Sequence, residues 1–348
     1  MAAIATTPLT FQALWHPRNI SHKPAAATFG HGLKWLIYTI ISVVIPIIGL
    51  IRIIAWLLNR FTAGNVIPSN KLSLADKESL SQEFEMRWNH SSFASRFERT
   101  SLKMRTPDGV VLDGTHIKSR HATLATPTVV IFQPNPCIYK HDTWWKWMAE
   151  YCINHNVPCN FVLFDYRGSG DSESQADSAS NLIVDGDTVL QFVEDHLRIP
   201  SDKTVVYSYS LGGGVSAEVL GALPHFRGKY ISDRSFCSVE AVVRYHTPIC
   251  LSLFTTFLIR SLNWNLQAAA AFARISARKF VISHPEDRVI PPSISLAAAA
   301  QSQFVPNVQY MLLRSPLWFD PHGVPLDYCF DRGTGSLPIE PVMQFILS

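Results

Sequence analysis

The sequence predicts an α/β fold with a mostly parallel central sheet, and three observations predict it. From about residue 126, short apolar or β-branched runs alternate with stretches of helical period. Two alternating runs joined by a turn stand ahead of them, as an opening hairpin would. The later runs end in "QPNPC", "DYRGSGDS", "SYSLGG", "DRSF", "PEDRVIPP" and, further on, "SPLWFDPHG". Function in such sheets lies at the carboxyl ends of the strands.

The elements follow in order. Residues 1–32 are rich in Ala, Thr, Pro and His without periodicity and read as a flexible terminus. Residues 33–60 form a hydrophobic segment, and 61–95 a linker with a helix near 73–86. Ser73 is placed to cap that helix, with Asp76 in its first turn. The domain at 96–348 opens with "FERTSLKMRT" and "VVLDGTHIKS", two strands joined by "PDG". "TPTVVIFQP" reads as a buried strand, "HDTWWKWMAEYCINH" as a helix, and "VPCNFVLFDYRGSGDS" as a strand ending in a glycine loop. A helix over about 180–196, the strand "TVVYSYS" and the helix "LGGGVSAEVLGAL" come next. Then come the strand "GKYISDRSF", an apolar region at 239–275, the strand and turn "RKFVISHPEDRVIPP", and a helix near 293–302. The strand "NVQYMLLRS" and a helix near 338–347 complete the pattern.

Composition bounds what the chain does. Its 348 residues are 47% hydrophobic and only 16% charged, which points to a membrane segment or an unusually apolar surface. A net charge of +3 and the lack of a basic arm argue against nucleic acid. The six cysteines form no C-x-x-C pair and read as reduced thiols; no H-E-x-x-H appears, and neither metal nor cofactor is expected.

The stretch "WLIYTIISVVIPIIGLI" at 35–51 carries no charge, and the apolar pattern continues past Arg52 to residue 59. A bilayer span needs about 20 mainly apolar residues, so 35–59 qualifies. Trp35, Tyr38 and Trp56 sit near its ends, and Pro46 and Gly49 allow a kink or a re-entrant hairpin. The competing reading is a buried core helix. Basic residues flank both ends, so orientation is open.

Nucleophilic catalysis needs a nucleophile, a base and an acid that orients the base. Ser210 follows its strand directly and precedes Leu211 and Gly212 at a helix start, the position of a nucleophile on a tight turn. Ser208 stands where the first glycine of G-x-S-x-G would be. Asp287 is the acid candidate, with Glu286 adjacent; His322 is the only histidine after it, with Asp320 as a competing partner. A developing oxyanion needs donors. The Leu211 N–H is one; in the loop Gln133-Pro134-Asn135-Pro136-Cys137 the prolines have no N–H, so Asn135 or Cys137 must supply the other.

These motifs, in this order, resemble the α/β-hydrolase superfamily. "FDYRGSGDS", "YSYSLGGGVS", "DRSF" and "HPEDRVIPP" look like Bem46-like serine hydrolases. The whole chain, apolar front included, is similar to the uncharacterised chlamydial CHLPS protein family. The resemblance implies an α/β-hydrolase fold with helices on both faces and a short helical cap at about 239–275. It implies Ser210 as nucleophile, Asp287 as acid and His322 as base, with Asp165, Arg167 and Gly168 shaping a structural loop. Two positions depart from the pattern: Ser208 replaces the elbow glycine, and Gln133-Pro134-Asn135-Pro136 replaces the usual H-G-x-G. The expected activity is hydrolysis of an ester or thioester with an apolar acyl group, the partner being a membrane lipid or an acylated substrate. The alternative is a catalytically inactive binding protein on the same fold at a membrane.

Overall fold

The computed structural model describes residue 58 and residues 73–348, except 91, 136, 142–143 and 317–319. The expected flexible terminus at 1–32 and, but for residue 58, the hydrophobic segment at 33–60 lie outside the described residues. Among those described, no helix is long and apolar enough to cross a membrane.

Helix α1, Leu74–His90, leads into the domain. Its start is fixed as expected: Asp76 N–H donates to Ser73 Oγ at 3.2 Å, and Ser73 N–H donates to Asp76 Oδ2 at 3.1 Å. Each side chain satisfies a backbone donor of the other, as in a capping box. The hairpin strands are β1, Phe97–Arg105, and β2, Val111–Ser119, turned by Gly109 at φ 91°. The left-handed turn suits glycine because it has no Cβ to clash.

The remaining elements alternate. They are β3 (Thr128–Phe132), α2 (Trp144–His155), β4 (Asn160–Phe164), α3 (Ala179–Asp195), β5 (Thr204–Tyr209), α4 (Leu211–Gly221) and β6 (Lys229–Asp233). An insertion follows with α5 (Val239–His246) and α6 (Ile249–Ser261), then α7 (Ala268–Arg274), β7 (Arg278–Ser283), α8 (Leu296–Ser302) and β8 (Val308–Arg314). The two-residue β9 (Phe330–Asp331) and α9 (Ile339–Leu347) end the chain.

The nine strands form one sheet in the order β1-β2-β4-β3-β5-β6-β7-β8-β9. Strands β3 to β8 run parallel; β1, β2 and β9 pair antiparallel at the edges. The inner strands are wholly buried and read TVVIF, NFVLF and TVVYSY, as expected for a sheet covered on both faces. Period-2 alternation divides their side chains. Val130, Phe132, Val162 and Phe164 pack against α3, α4, α7 and α8. Val129, Ile131, Phe161 and Leu163 pack with α1, α2 and α9 on the other face. The parallel strands bring Ser210, Asp287 and His322, which follow β5, β7 and β8, to one edge of the sheet.

Candidate active site

Ser210 is the single residue between β5 and α4, and its backbone sits at φ 49° and ψ −113°. A left-handed φ is strained for a residue with a Cβ and persists only where surroundings hold it. Here Ser210 N–H donates to Asp233 O at 3.0 Å, while Ser235 Oγ–H and Gly213 N–H donate to Ser210 O at 2.9 and 3.0 Å. The turn also brings α4 against the end of β3: a Cβ on Gly212 would lie 2.1 Å from Phe132 O. Ser208, at the departing position, is fully buried and donates its hydroxyl to Ile231 O on β6 at 2.8 Å. Its polar atom is therefore satisfied inside the sheet rather than exposed in the elbow.

Asp287 lies in the turn after β7. Its Oδ1 accepts N–H groups from Val289 and Ile290 at 2.8 and 2.7 Å, which fixes the carboxylate plane. Its Oδ2 is 2.7 Å from His322 Nδ1, and His322 Nε2 is 3.1 Å from Ser210 Oγ. A carboxylate acceptor at Nδ1 selects the tautomer with its proton there, leaving Nε2 to accept from the serine hydroxyl. Burial pushes the Asp287 carboxyl up, but the hydrogen bond and charge of His322 and the two backbone N–H groups outweigh it, so its pKa lies below the ordinary carboxylate value.

The carboxylate at His322 Nδ1 is that of Asp287, and the two alternatives stand apart from it. Asp320 accepts the backbone N–H groups of His322 and Gly323 at 3.2 and 3.3 Å. Glu286 is exposed, and its N–H donates to His284 Nδ1 at 3.1 Å.

Several residues around His322 escaped the sequence reading. Tyr209 stacks on the imidazole, with ring centroids 5.4 Å apart, and donates its hydroxyl to His322 O. Trp144 packs on Tyr209 in turn, with ring centroids 4.3 Å apart. Arg234 is 2% exposed at φ 44° and sits 4.9 Å from the Tyr209 ring. It pairs with the buried Asp233 through Nε at 2.8 Å and Nη2 at 3.0 Å, and its Nη1 donates to Val324 O at 2.6 Å and Pro321 O at 3.3 Å. One guanidinium thus grips both ends of the turn that carries His322. Burial disfavours its charge, but Asp233 more than offsets this, and the group stays charged. "DRSF" marks the place in the sequence, yet no spacing rule connects it with a loop nearly ninety residues on.

Of the oxyanion candidates, Leu211 is the first residue of α4, where a helical N–H has no intrahelical acceptor. Cys137 N–H is directed to Pro134 O at 3.1 Å. Asn135, directly after the Gln133-Pro134 pair at the end of β3, is the other candidate. The loop after β4 is a brace: Arg167 bonds Asp185 through its backbone N–H and its Nε, both at 2.9 Å, and reaches Asp108 at 2.6 Å. The buried Asp165 accepts Tyr139 N–H at 2.7 Å. Among the described residues no group of three or more His, Cys, Asp or Glu is arranged to hold a metal ion.

Comparison with known proteins agrees with this architecture. The family described as Chlamydia CHLPS protein (DUF818) matches residues 31–290. Protein bem46 of Schizosaccharomyces pombe is 24% identical over 200 residues, covering 58% of this chain and 64% of that protein. The α/β hydrolase domain-containing protein WAV2 of Arabidopsis thaliana is 26% identical over 197 residues, covering 54% and 62%. The chain therefore matches less than two thirds of the length of these curated relatives. An α/β hydrolase from Vibrio vulnificus superposes with a TM-score of 0.54 at 13% identity, over 76% of this chain and 88% of that one. The fold is that of the α/β hydrolases.

Proposed function

We propose that this chain, which belongs to the Chlamydia CHLPS protein family, is a membrane-associated serine hydrolase that cleaves an ester or thioester, with an apolar group on the acyl side. The observation that carries this reading is the continuous relay from Ser210 Oγ through His322 to Asp287, at 3.1 and 2.7 Å. A serine hydroxyl is a weak nucleophile until a base takes its proton. Neutral His322 accepts that proton at Nε2 as Ser210 Oγ bonds to the substrate carbonyl carbon. Asp287 stabilises the resulting imidazolium without taking its proton. The carbonyl oxygen, now negative, is met by the Leu211 N–H and the positive end of α4, with Asn135 as the second donor. The tetrahedral intermediate collapses, and His322 protonates the departing alkoxide or thiolate. Water then repeats the sequence on the acyl-serine and restores the free hydroxyl.

The apolar preference is supported by the insertion after β6, whose His246 Nε2 lies 2.8 Å from Val289 O, beside the turn that holds Asp287. The membrane is supported by the sequence of 35–59.

Fluorophosphonate labelling and hydrolysis of p-nitrophenyl esters of graded acyl length test the reading. Ser210→Ala should abolish labelling, and Ser210→Ala or His322→Ala should lower turnover by several orders of magnitude. The double variant should be little worse than either single one, because the members act as a unit. A wild-type chain that takes up no fluorophosphonate and cleaves no ester would instead be a binding protein on a hydrolase fold.

A further inference from the structure

Helix α6 carries no charge from Ile249 to Ile259, yet only Ile259 in it is buried. Ile249, Leu253 and Phe257 are 91%, 80% and 63% exposed, and they lie at i, i+4 and i+8 on one face. Leu251 and Phe254 widen the face, and Tyr245 on the neighbouring α5 is also exposed. A contiguous apolar surface of this kind marks an interaction site rather than a tolerated scatter. Exposed arginines stand on the same insertion: Arg244 on α5 and Arg260 at the end of α6 flank Glu240, which pairs with both, and Arg288 is exposed in the Asp287 turn next to exposed Glu286. The His246–Val289 contact joins the patch to the edge of the candidate active site.

We infer that the apolar face of α6 docks into the surface of a bilayer carrying anionic lipid, so that the candidate active site opens at the lipid boundary. This rests on the membrane-associated hydrolase proposed above and names its second membrane contact. Three arguments select this occupant. First, residues 60–72 reach at most about 45 Å when extended. A domain of this size has a radius of gyration of about 19 Å, so a domain tethered through 35–59 cannot move further from the bilayer than about its own width. Second, the chain's other apolar segment is a poor cover for α6. Its residues 35–51 have no polar stripe, and a helix lying between α6 and water needs one. Third, a two-fold pairing of α6 faces would set the arginines of the insertion against each other, whereas anionic headgroups complement them. A helix with a broad apolar face and basic flanks lies at the headgroup–acyl boundary.

Cys250 supplies the probe: it is exposed on α6, whereas Cys152, Cys159 and Cys329 are buried. The full chain, reconstituted in phosphatidylcholine–phosphatidylglycerol vesicles, is labelled with bimane, and a Cys250→Ser chain subtracts label elsewhere. Acyl-brominated lipids should quench the Cys250 signal by roughly half or more, and aqueous iodide should not. Phe254→Ser/Phe257→Ser should restore iodide access, with cleavage of p-nitrophenyl acetate within about twofold of wild type and an unchanged melting temperature. Free access of iodide in the wild type overturns the inference. So does shielding from iodide without bromine quenching, which means that protein covers the helix. Fluorophosphonate labelling of Ser210 in the same vesicles reads the hydrolase proposal independently.

Discussion

Arg234 shows how a residue far from chemistry in sequence becomes part of its geometry. Its guanidinium ties Asp233, at the end of β6, to the carbonyls of Pro321 and Val324 on either side of His322. The Tyr209 hydroxyl holds the carbonyl of His322 itself. Arg234→Met leaves Asp233 buried without its cation and should destabilise the fold by about 3 kcal/mol or more. Arg234→Lys keeps the charge but not the planar fork, so it separates positioning from stability. In Arg234→Lys, kcat should fall roughly 10²-fold with KM little changed, because a small misplacement of a base acts on the chemical step. Equal kcat in the two chains, measured on a short ester, would reduce Arg234 to a structural brace. Ser210, Asp287 and His322 were legible one by one, because strand ends and chain order pointed at each. Tyr209 and Arg234 were not: one reads as a buried strand residue, and the other sits at a left-handed φ that no local pattern announces.

At the level of elements, the close approach of α4 to β3 fixes the elbow. A methyl group at Gly212 would meet the carbonyl of Phe132, backbone that cannot swing aside. Gly212→Ala should therefore cost about 3 kcal/mol or more in urea unfolding and reduce fluorophosphonate labelling in the fraction that folds. Ser208→Gly removes the hydrogen bond to Ile231 O together with a buried Cβ, and loosens the strand backbone, so it should cost about 1 to 2 kcal/mol with labelling retained. The alternation of strands and helices was legible because each inner strand is a short buried run and each helix keeps its own period. The sheet order was not, since β4 inserts between β2 and β3 through pairings distant in sequence. Nor was β9, whose two residues are too few to form a pattern.

For the molecule as a whole, acid sensitivity has a named source in β2. Burial and the charge of Lys118 hold the pKa of His116 down to about 4, against an ordinary value near 6.5. Below pH 6.5 the unfolded chain binds a proton that the folded chain refuses. Stability therefore falls as pH drops from about 6.5 to about 4, by about 2 to 3 kcal/mol in all. His116→Gln should flatten this part of the stability–pH curve in denaturant titrations; an unchanged slope would assign it to other groups. Asp287 acts at lower pH. Its pKa is held below the ordinary value, so the stability it contributes is present at neutral pH and is lost only as pH falls below about 4.

Ser210 and His322, the proposed nucleophile and base, stand 112 residues apart in the chain. At about 5 to 20 residues per second of synthesis, His322 follows Ser210 by roughly 6 to 20 s. If Ser210 is the nucleophile proposed above, a nascent chain displays it without its base throughout that interval, and a product truncated before the His322 turn should be inert however well its first strands have folded. On the proposed reading, hydrolytic activity in this protein would report that synthesis had passed the His322 turn.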